Sequence, residues 1–424
     1  MRGRNSVIFF GVTKSKPSRL PFYYGWVIVA TGFLCVVACL GFGRFALGML
    51  LPSMATTLKL SYAQMGFIST GNFIGYLVSV FFSGMIVARI GQRSFIFISL
   101  LLVGLTMALL SKSQAFAGLL ALYVLTGVGS GGAYVSTMSL ASAWFGRKNR
   151  GKAAGFMAVG SGAAIIFAGF FIPFINRVNG AQGWRISWLA LGAIVALIAF
   201  LCLIFLRNRP ADLGLAFPED KDHGAAAAAR VAVRRNFDIY RSRAIYHLGA
   251  IYFLFGYTYV IYATFIVTTL VKERGMSETL AGDFWSVVGF LSLFSGPVFG
   301  SVSDKLGRKA GMVIVFSFQF LAYLLVASGL PGIFLYLSIF FYGVVAWSIP
   351  AIMAAAVGDY AGPENAAKAL GFITLIFGMG QISGPAIAGV LAQHSGSFSS
   401  SFYMAAALAG AAILLSAALK KPQH

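Results

Sequence analysis

The sequence predicts an all-α membrane protein with 12 transmembrane helices in two pseudo-symmetric six-helix bundles. Three observations predict it: the composition, a series of apolar runs of helix length, and one motif repeated at half-chain spacing. Of 424 residues, 59% are hydrophobic and 10% are charged, and the mean hydropathy is +0.84. Because a soluble domain cannot bury so much apolar surface, lipid is the expected solvent.

Apolar runs between charged or turn-rich breaks place the helices, since a bilayer core about 30 Å thick needs roughly 20 apolar residues. The first six helices are expected at 22–55, 62–88, 94–111, 115–145, 151–176 and 185–206. The second six are expected at 245–271, 279–302, 310–329, 332–358, 366–393 and 399–419. The predicted division is a tail at 1–21, a bundle at 22–206, a linker at 207–244, a bundle at 245–419 and a tail at 420–424.

The distribution of basic residues predicts the orientation. Of the 32 Lys and Arg, 25 lie in the tails, the linker and the loops of one side, 6 lie on the other side, and Arg44 lies mid-helix. The positive-inside rule then places both termini in the cytoplasm, as in a multi-pass protein of the bacterial inner (plasma) membrane. Because the basic residues are spread over helix ends, the net charge of +21 does not indicate a nucleic-acid partner.

A ten-residue motif occurs once in each half. Residues 84–93 (GMIVARIGQR) are similar to residues 300–309 (GSVSDKLGRK), and both copies lie between the second and third helix of their half. The pattern resembles the signature loop of the major facilitator superfamily, with Ala88 in the first copy at the position of Asp304 in the second. The resemblance implies the major facilitator fold and a gating role for Arg89 and Asp304. The alternative is that two unrelated basic turns are similar by chance.

Further features of the N-terminal half point to one branch of that superfamily. Helix 1 opens with Tyr24-Gly25-Trp26, Arg44 follows Trp26 by 18 residues, and a Gly-rich helix 4 carries Tyr134. These features are similar to those of monocarboxylate transporters and oxalate/formate exchangers, and the segments at 41–46 and 71–76 look more like a poorly characterised group of bacterial permeases. The resemblance implies a binding role for Tyr134.

The C-terminal half departs from that branch. The Arg and Asp of helix 8 in those carriers correspond to Gly296 and Ser292, and the Lys of helix 11 in the oxalate exchanger corresponds to Phe377. The C-terminal half therefore lacks the cation that the resemblance implies there.

Arg44 is the strongest candidate for a substrate-binding residue. An Arg deep in a membrane helix costs about 2.5–3.5 kcal/mol on insertion scales and usually faces a cavity or a partner. Gly41, Gly43 and Gly48 let neighbouring helices approach, and the guanidinium fork suits a carboxylate. The alternative is a snorkelling or buried structural Arg.

A proton-coupled step through a carboxylate must use the C-terminal half, because no Asp or Glu precedes Asp212. Asp283, about one turn into helix 8, is the candidate proton-linked residue, and it could pair with Arg44 across the two halves as a gate. The alternative is a solvated acid that interacts favourably with the helix dipole.

Neutral polar residues in apolar helices are the remaining candidates for a central cavity. In lipid, such side chains can also serve only to hold helices together. The candidates are Asn72, Tyr134, Tyr259, Tyr262, Trp347 and Gln381.

The predicted function is secondary transport of a small organic anion, a monocarboxylate, by alternating access with proton symport. We expect a monomer without catalytic residues, metal or cofactor, and the missing phosphate-binding loop argues against ATP coupling within this chain. One alternative is an exporter of amphipathic drugs or metabolites, although such exporters often carry an acid in helix 1. Another is a non-transporting membrane sensor, which would normally carry an additional soluble domain.

Overall fold

The computed structural model describes residues 23–215, 239–362 and 364–420, without the side chains of residues 147 and 148. These residues form 12 helices of membrane-spanning length. The helices are α1 (Gly25–Leu58), α2 (Tyr62–Ile90), α3 (Gln92–Leu110), α4 (Phe116–Trp144), α5 (Arg147–Ala158 and Gly160–Asn179), α6 (Gly183–Phe205), α7 (Arg243–Glu273), α8 (Glu278–Leu306), α9 (Arg308–Ala327), α10 (Ile333–Val345 and Ser348–Ala361), α11 (Ala366–Ser395) and α12 (Ser399–Ala418). The predicted fold class is confirmed. The tail at 1–21, residues 421–424 and linker residues 216–238 lie outside the described residues.

Local sequence signals determine several helix ends. Ser61 and Gln64 form a capping box at the start of α2, and the Ser277 hydroxyl caps α8 by accepting from the Leu280 amide. At the two signature loops, α2 and α8 end on Gly91 and Gly307, whose φ angles are 79° and 90°. Such positive φ angles favour glycine, so both copies of the motif adopt the same turn.

Four breaks in helix geometry in the described residues were not predicted from the sequence, one of them the interruption of α5 at Val159. α1 contains a π-helical segment, Val37–Phe45, and α7 ends in another, Thr269–Glu273. α10 is interrupted between Val345 and Ser348. The breaks in α1 and α10 both lie beside the centre of the molecule.

The two bundles meet along α2 with α11 and along α5 with α8, and α1 also contacts α7. We call the side that carries residues 89–93 and 305–309 the basic side, and the other the opposite side. Five hydrogen bonds that join the bundles in the described part of the chain lie toward the opposite side. Examples are the Tyr62 amide to Gln393 Oε1, 3.1 Å, and Asn176 Nδ2 to Glu278 Oε2, 2.7 Å.

Toward the basic side, the same four helices separate. A Cβ atom built on one glycine of each would meet no other group within 4 Å, at Gly84, Gly155, Gly300 and Gly371. On the opposite side, a Cβ on Gly66 of α2 would lie 2.3 Å from the carbonyl oxygen of Pro385 on α11. The structure is therefore closed on the opposite side and open on the basic side.

Candidate functional site

Arg44 lies past the midpoint of α1, within its π-helical segment. Such segments are frequent at functional sites. Two glycines bring α1 close to its neighbours: a Cβ on Gly41 would lie 2.0 Å from the Cβ of Ala164 on α5, and one on Gly48 would lie 2.8 Å from the Ala263 oxygen on α7. The close packing leaves Arg44 only 9% exposed.

The guanidinium of Arg44 rests against two aromatic rings of α2. Its Cζ atom lies 4.5 Å from the ring centroid of Phe73 and 4.2 Å from that of Tyr76. Cation–ring contacts of this kind contribute about 0.5–2 kcal/mol each, more when water is excluded. Nη2 is buried without a hydrogen-bond partner, and Arg44 forms no ion pair with any carboxylate that the structure describes. The charge is thus only partly compensated.

Asn72 positions Arg44 through three hydrogen bonds. Its Oδ1 accepts from Arg44 Nε at 3.4 Å, and its Nδ2 donates to the carbonyl oxygens of Gly43 at 3.2 Å and Tyr123 at 3.3 Å. The Tyr123 hydroxyl donates to the carbonyl oxygen of Arg44 at 3.0 Å. Both N–H groups of the Asn72 amide are used in these contacts, and they hold its side chain beside the guanidinium.

The C-terminal bundle presents aromatic rings and an amide toward Arg44. Tyr259 lines the same cavity as Arg44, and its hydroxyl accepts a hydrogen bond from Gln381 Nε2. Trp347, at the break in α10, lies 5.2 Å from the ring centroid of Phe45 and 5.7 Å from that of Tyr259. Its indole Nε1 is buried and has no partner among the described residues.

The cavity beside Arg44 is almost closed. Its volume is about 10 Å³, roughly the room for one water molecule. Toward the basic side, Tyr76, Tyr134, Trp347 and Phe377 are each partly exposed. Access to Arg44 in this conformation therefore runs from the basic side.

Tyr262 lies away from the cavity, against the expectation from the sequence. It is fully buried inside the C-terminal bundle, where its hydroxyl bonds Ser338 Oγ at 2.9 Å and its ring stacks on Tyr342 at 4.1 Å. Three residues turn a side chain by about 300°, so the ring of Tyr262 lies only about 60° around α7 from that of Tyr259. Packing inside the bundle, against Ser338 and Tyr342, therefore separates the surroundings of the two rings.

Asp283 does not pair with Arg44. Its side chain is exposed and lines a recess of about 80 Å³ at the seam of α5 and α8. Arg177 of the other bundle lines the same recess. Asp283 is the sixth residue of α8 and lies near the end of the helix, whereas Arg44 is deep, and this difference in depth keeps them apart.

The second signature loop forms contacts within the C-terminal bundle. Arg308 binds both Asp304 and Asp359, the latter through Nε at 2.7 Å, and so connects α8, α9 and α10. In the first loop, Ala88 supplies no acid, and Arg89 is exposed with no hydrogen bond or ion pair within the described ranges. In this conformation neither Asp304 nor Arg89 bridges the two bundles.

Sequence reasoning missed the roles of Phe73, Tyr76 and Tyr123. Phe73 and Tyr76 follow Asn72 by one and four residues, and a spacing of four places side chains on one face of a helix. That spacing could have identified Tyr76. The sequence contains no comparable signal for Tyr123, because its contact with Arg44 joins α4 to α1 across the bundle.

Twelve helices, two bundles and a duplicated signature loop define a transporter of the major facilitator superfamily. Residues 36–421 match the family described as "Uncharacterised MFS-type transporter YbfB", and the chain belongs to this family. The predicted resemblance is thereby confirmed.

Relatives and a solved structure agree with that assignment. The hexuronate transporter of Bacillus subtilis (strain 168) is 25% identical over 388 residues, covering 86% of this chain and 88% of that protein. Monocarboxylate transporter 2 of Mesocricetus auratus is 22% identical over 396 residues, covering 88% and 79%. The crystal structure of a D-xylose-proton symporter has a TM-score of 0.74 at 17% identity, covering 93% of this chain and 97% of that one. The protein is a secondary transporter of organic substrates.

Proposed function

We propose that the protein transports a small organic anion, a monocarboxylate, by alternating access. The observation that carries the proposal is the buried guanidinium of Arg44, which has an unpartnered Nη2 and no ion pair with a described carboxylate. A buried charge without a counter-charge is costly, so the site gains most from a ligand that supplies a negative charge. A carboxylate also matches the paired N–H donors of a guanidinium.

The relatives support an anionic substrate. A hexuronate and a monocarboxylate, the substrates in the names of two related transporters, both carry a carboxylate. The D-xylose of the structural neighbour is uncharged, and at its low identity that neighbour supports the fold alone. The absence of any acid before Asp212 leaves the N-terminal bundle without a group of its own that could neutralise Arg44.

Ligand screening of the purified protein tests the proposal. Small monocarboxylates should raise the melting temperature of the wild type, because ligands that bind the native state stabilise it. Arg44→Gln should abolish this shift while the protein stays folded, and Arg44→Lys should retain a weaker, less selective response. Arg150→Gln, which removes an exposed arginine, is the matched control and should respond like the wild type.

Two results would contradict the anion assignment. One is normal binding and transport of carboxylates by Arg44→Gln. The other is a cationic compound as the best ligand of the wild type, which would favour the exporter of amphipathic drugs or metabolites.

We also propose that the basic side faces the cytoplasm of a bacterium and that the chain works as a monomer in its inner membrane. The excess of Lys and Arg on that side motivates the orientation. An alkaline phosphatase fusion at Gly224, in the central linker, should be inactive because this reporter needs the periplasm. An active fusion would reverse the orientation.

Proton coupling is proposed at Asp283, with Arg177 as the cation that faces it across the seam of the two bundles. The proposal is supported by the exposure of this acid on the opposite side and by Arg177 of the other bundle, which lines the same recess. Asp283→Asn should keep substrate exchange but lose proton-driven accumulation, whereas Asp283→Glu should keep both. An unchanged pH profile in Asp283→Asn would move coupling elsewhere, with His247 as the next candidate.

A further inference from the structure

A stack of aromatic rings extends from the Arg44 cavity toward the basic side. The ring of Phe377 lies 4.3 Å from that of Tyr252 at an interplanar angle of 15°, and 6.1 Å from that of Tyr259 at 6°. Tyr252 and Tyr259 are seven residues apart on α7, so the stack extends over about 10 Å of helix. Phe377 is partly exposed, and thus one ring of the stack is accessible from the open path.

The facing wall, contributed by the N-terminal bundle, is also aromatic. The rings of Tyr76 and Tyr134 lie 6.5 Å apart and are partly exposed. Tyr76 contacts the guanidinium of Arg44 with its ring face, at 4.2 Å. Partly exposed rings of both bundles, Tyr76 and Tyr134 on one and Phe377 on the other, thus lie on the basic side of Arg44.

The C-terminal wall offers no second cation. Every charged side chain of the C-terminal helices that the structure describes lies within six residues of a helix end. A second anionic group on the substrate would have to lie against the uncharged stack of Phe377 and Tyr252. The indole Nε1 of Trp347, buried and unpartnered among the described residues, adds a neutral donor at the same wall.

We infer that the substrate is an aromatic monocarboxylate. Its carboxylate binds Arg44, and its flat ring lies between Tyr76 and Tyr134 on one side and Phe377 on the other. Aromatic pairs in offset or edge-to-face arrangements are favoured beyond the area they bury, and a saturated ring of the same size cannot form them. The inference rests on the proposed function, because it takes Arg44 to be the anion site.

Calorimetric binding of matched acids to the purified wild type tests the inference. Benzoate should bind about tenfold more tightly than cyclohexanecarboxylate, a difference of about 1.4 kcal/mol. Terephthalate, which adds a second carboxylate to the same ring, should bind far more weakly than benzoate. Lactate tests the anion site without the ring and should bind weakly but measurably.

Two variants on one helix test the aromatic wall. Phe377→Leu should weaken benzoate binding about tenfold and leave lactate binding unchanged. Phe372→Leu is the matched control: this ring packs against Tyr240 and Tyr246 at the basic end of α11, and its loss should change neither affinity.

The outcomes separate the two proposals. Equal binding of benzoate and cyclohexanecarboxylate, or unchanged benzoate binding in a folded Phe377→Leu protein, would overturn the aromatic substrate and leave the Arg44 site standing. Failure of every carboxylate to bind the wild type would overturn the proposed function as well. If Phe377→Leu does not fold, the ligand series on the wild type decides alone.

Discussion

Replacing Gly66 with leucine should prevent closure of the opposite side. A Cβ atom at this position would lie 2.3 Å from the carbonyl oxygen of Pro385 and 3.1 Å from the Cα of Gly389. Both are backbone atoms of α11, so neither can rotate away as a flexible side chain would. The added side chain must push α2 and α11 apart.

The size of the effect follows from the packing. Overpacking a close contact typically costs about 1–3 kcal/mol, and each 1.4 kcal/mol is about a factor of ten in an equilibrium. The ratio of closed to open molecules on this side should therefore fall about 5-fold to 100-fold. Two hydrogen bonds between the bundles lie nearby, the Tyr62 amide to Gln393 Oε1 and Thr70 Oγ1 to the Ile382 oxygen. The loss of these two hydrogen bonds should move the change in the closed-to-open ratio toward the upper end of that range.

Thiol labelling from the opposite side measures this change. Thr264 is 7% exposed and bonded to Ser69, and a Thr264→Cys reporter should react slowly with a membrane-impermeant maleimide. Gly66→Leu should speed its labelling at least about 5-fold; the three native cysteines are buried. Gly84→Leu is the control, because a Cβ there meets nothing within 4 Å. Equal rates in both variants, at equal thermal stability, would refute the reasoning.

Three further predictions test individual residues. Asn72→Asp places a carboxylate beside the guanidinium of Arg44 and removes the N–H groups that bond the Gly43 and Tyr123 oxygens. Carboxylate binding, measured by calorimetry, should therefore be lost, and tight binding would contradict the site. Tyr259→Phe should weaken ligand binding. Tyr262→Phe should instead lower the free energy of unfolding by about 1 kcal/mol, because one hydrogen bond is lost, and should leave uptake unchanged. Denaturation and uptake assays distinguish the two variants. Asp304→Asn removes an exposed ion pair worth about 0–1 kcal/mol. Ligand binding should therefore persist while transport slows. Equal loss of binding and transport would indicate a folding role for Asp304.

The fold could be predicted from the sequence because lipid imposes strong constraints. Runs of apolar residues with charged ends can span a bilayer only as helices or closed barrels, and the runs here have helix length. The repeat of residues 84–93 at 300–309 then indicated two equivalent bundles, and Gly91 and Gly307 do adopt the same turn. The predicted helix 1 continues to Leu58, three residues beyond its expected end.

The site was predictable where one residue stands out and unpredictable where two helices must be aligned. Among the helices that the structure describes, Arg44 is the single Lys or Arg far from a helix end, and it lies beside the central cavity. The expected pairing of Arg44 with Asp283 was wrong. It depended on the relative depth of the two residues, which is set by how α1 and α8 align and by neither helix alone. The assignment of Tyr262 failed for a similar reason, since the helix rotation that separates it from Tyr259 depends on packing.

The breaks in α1 and α10 had no signal that sequence periodicity could detect. A π-helical segment changes the hydrogen-bond pattern over one or two turns without altering composition. The apolar residues of Val37–Phe45 fit an α-helix as well as a π-helix. Contacts with neighbouring helices decide between them, and those contacts exist only in the folded protein.

If the partly compensated guanidinium of Arg44 binds the substrate anion as proposed, it also determines how membrane voltage acts on the transport cycle. An empty site carries one positive charge, and a site that holds a monocarboxylate carries none. A membrane potential acts on net charge, at about 2.3 kcal/mol per elementary charge moved through 100 mV. The loaded carrier would therefore change its access without responding to voltage at this site. If the charge of Arg44 makes the transport rate depend on voltage, the voltage-dependent step would be the one in which the empty carrier returns.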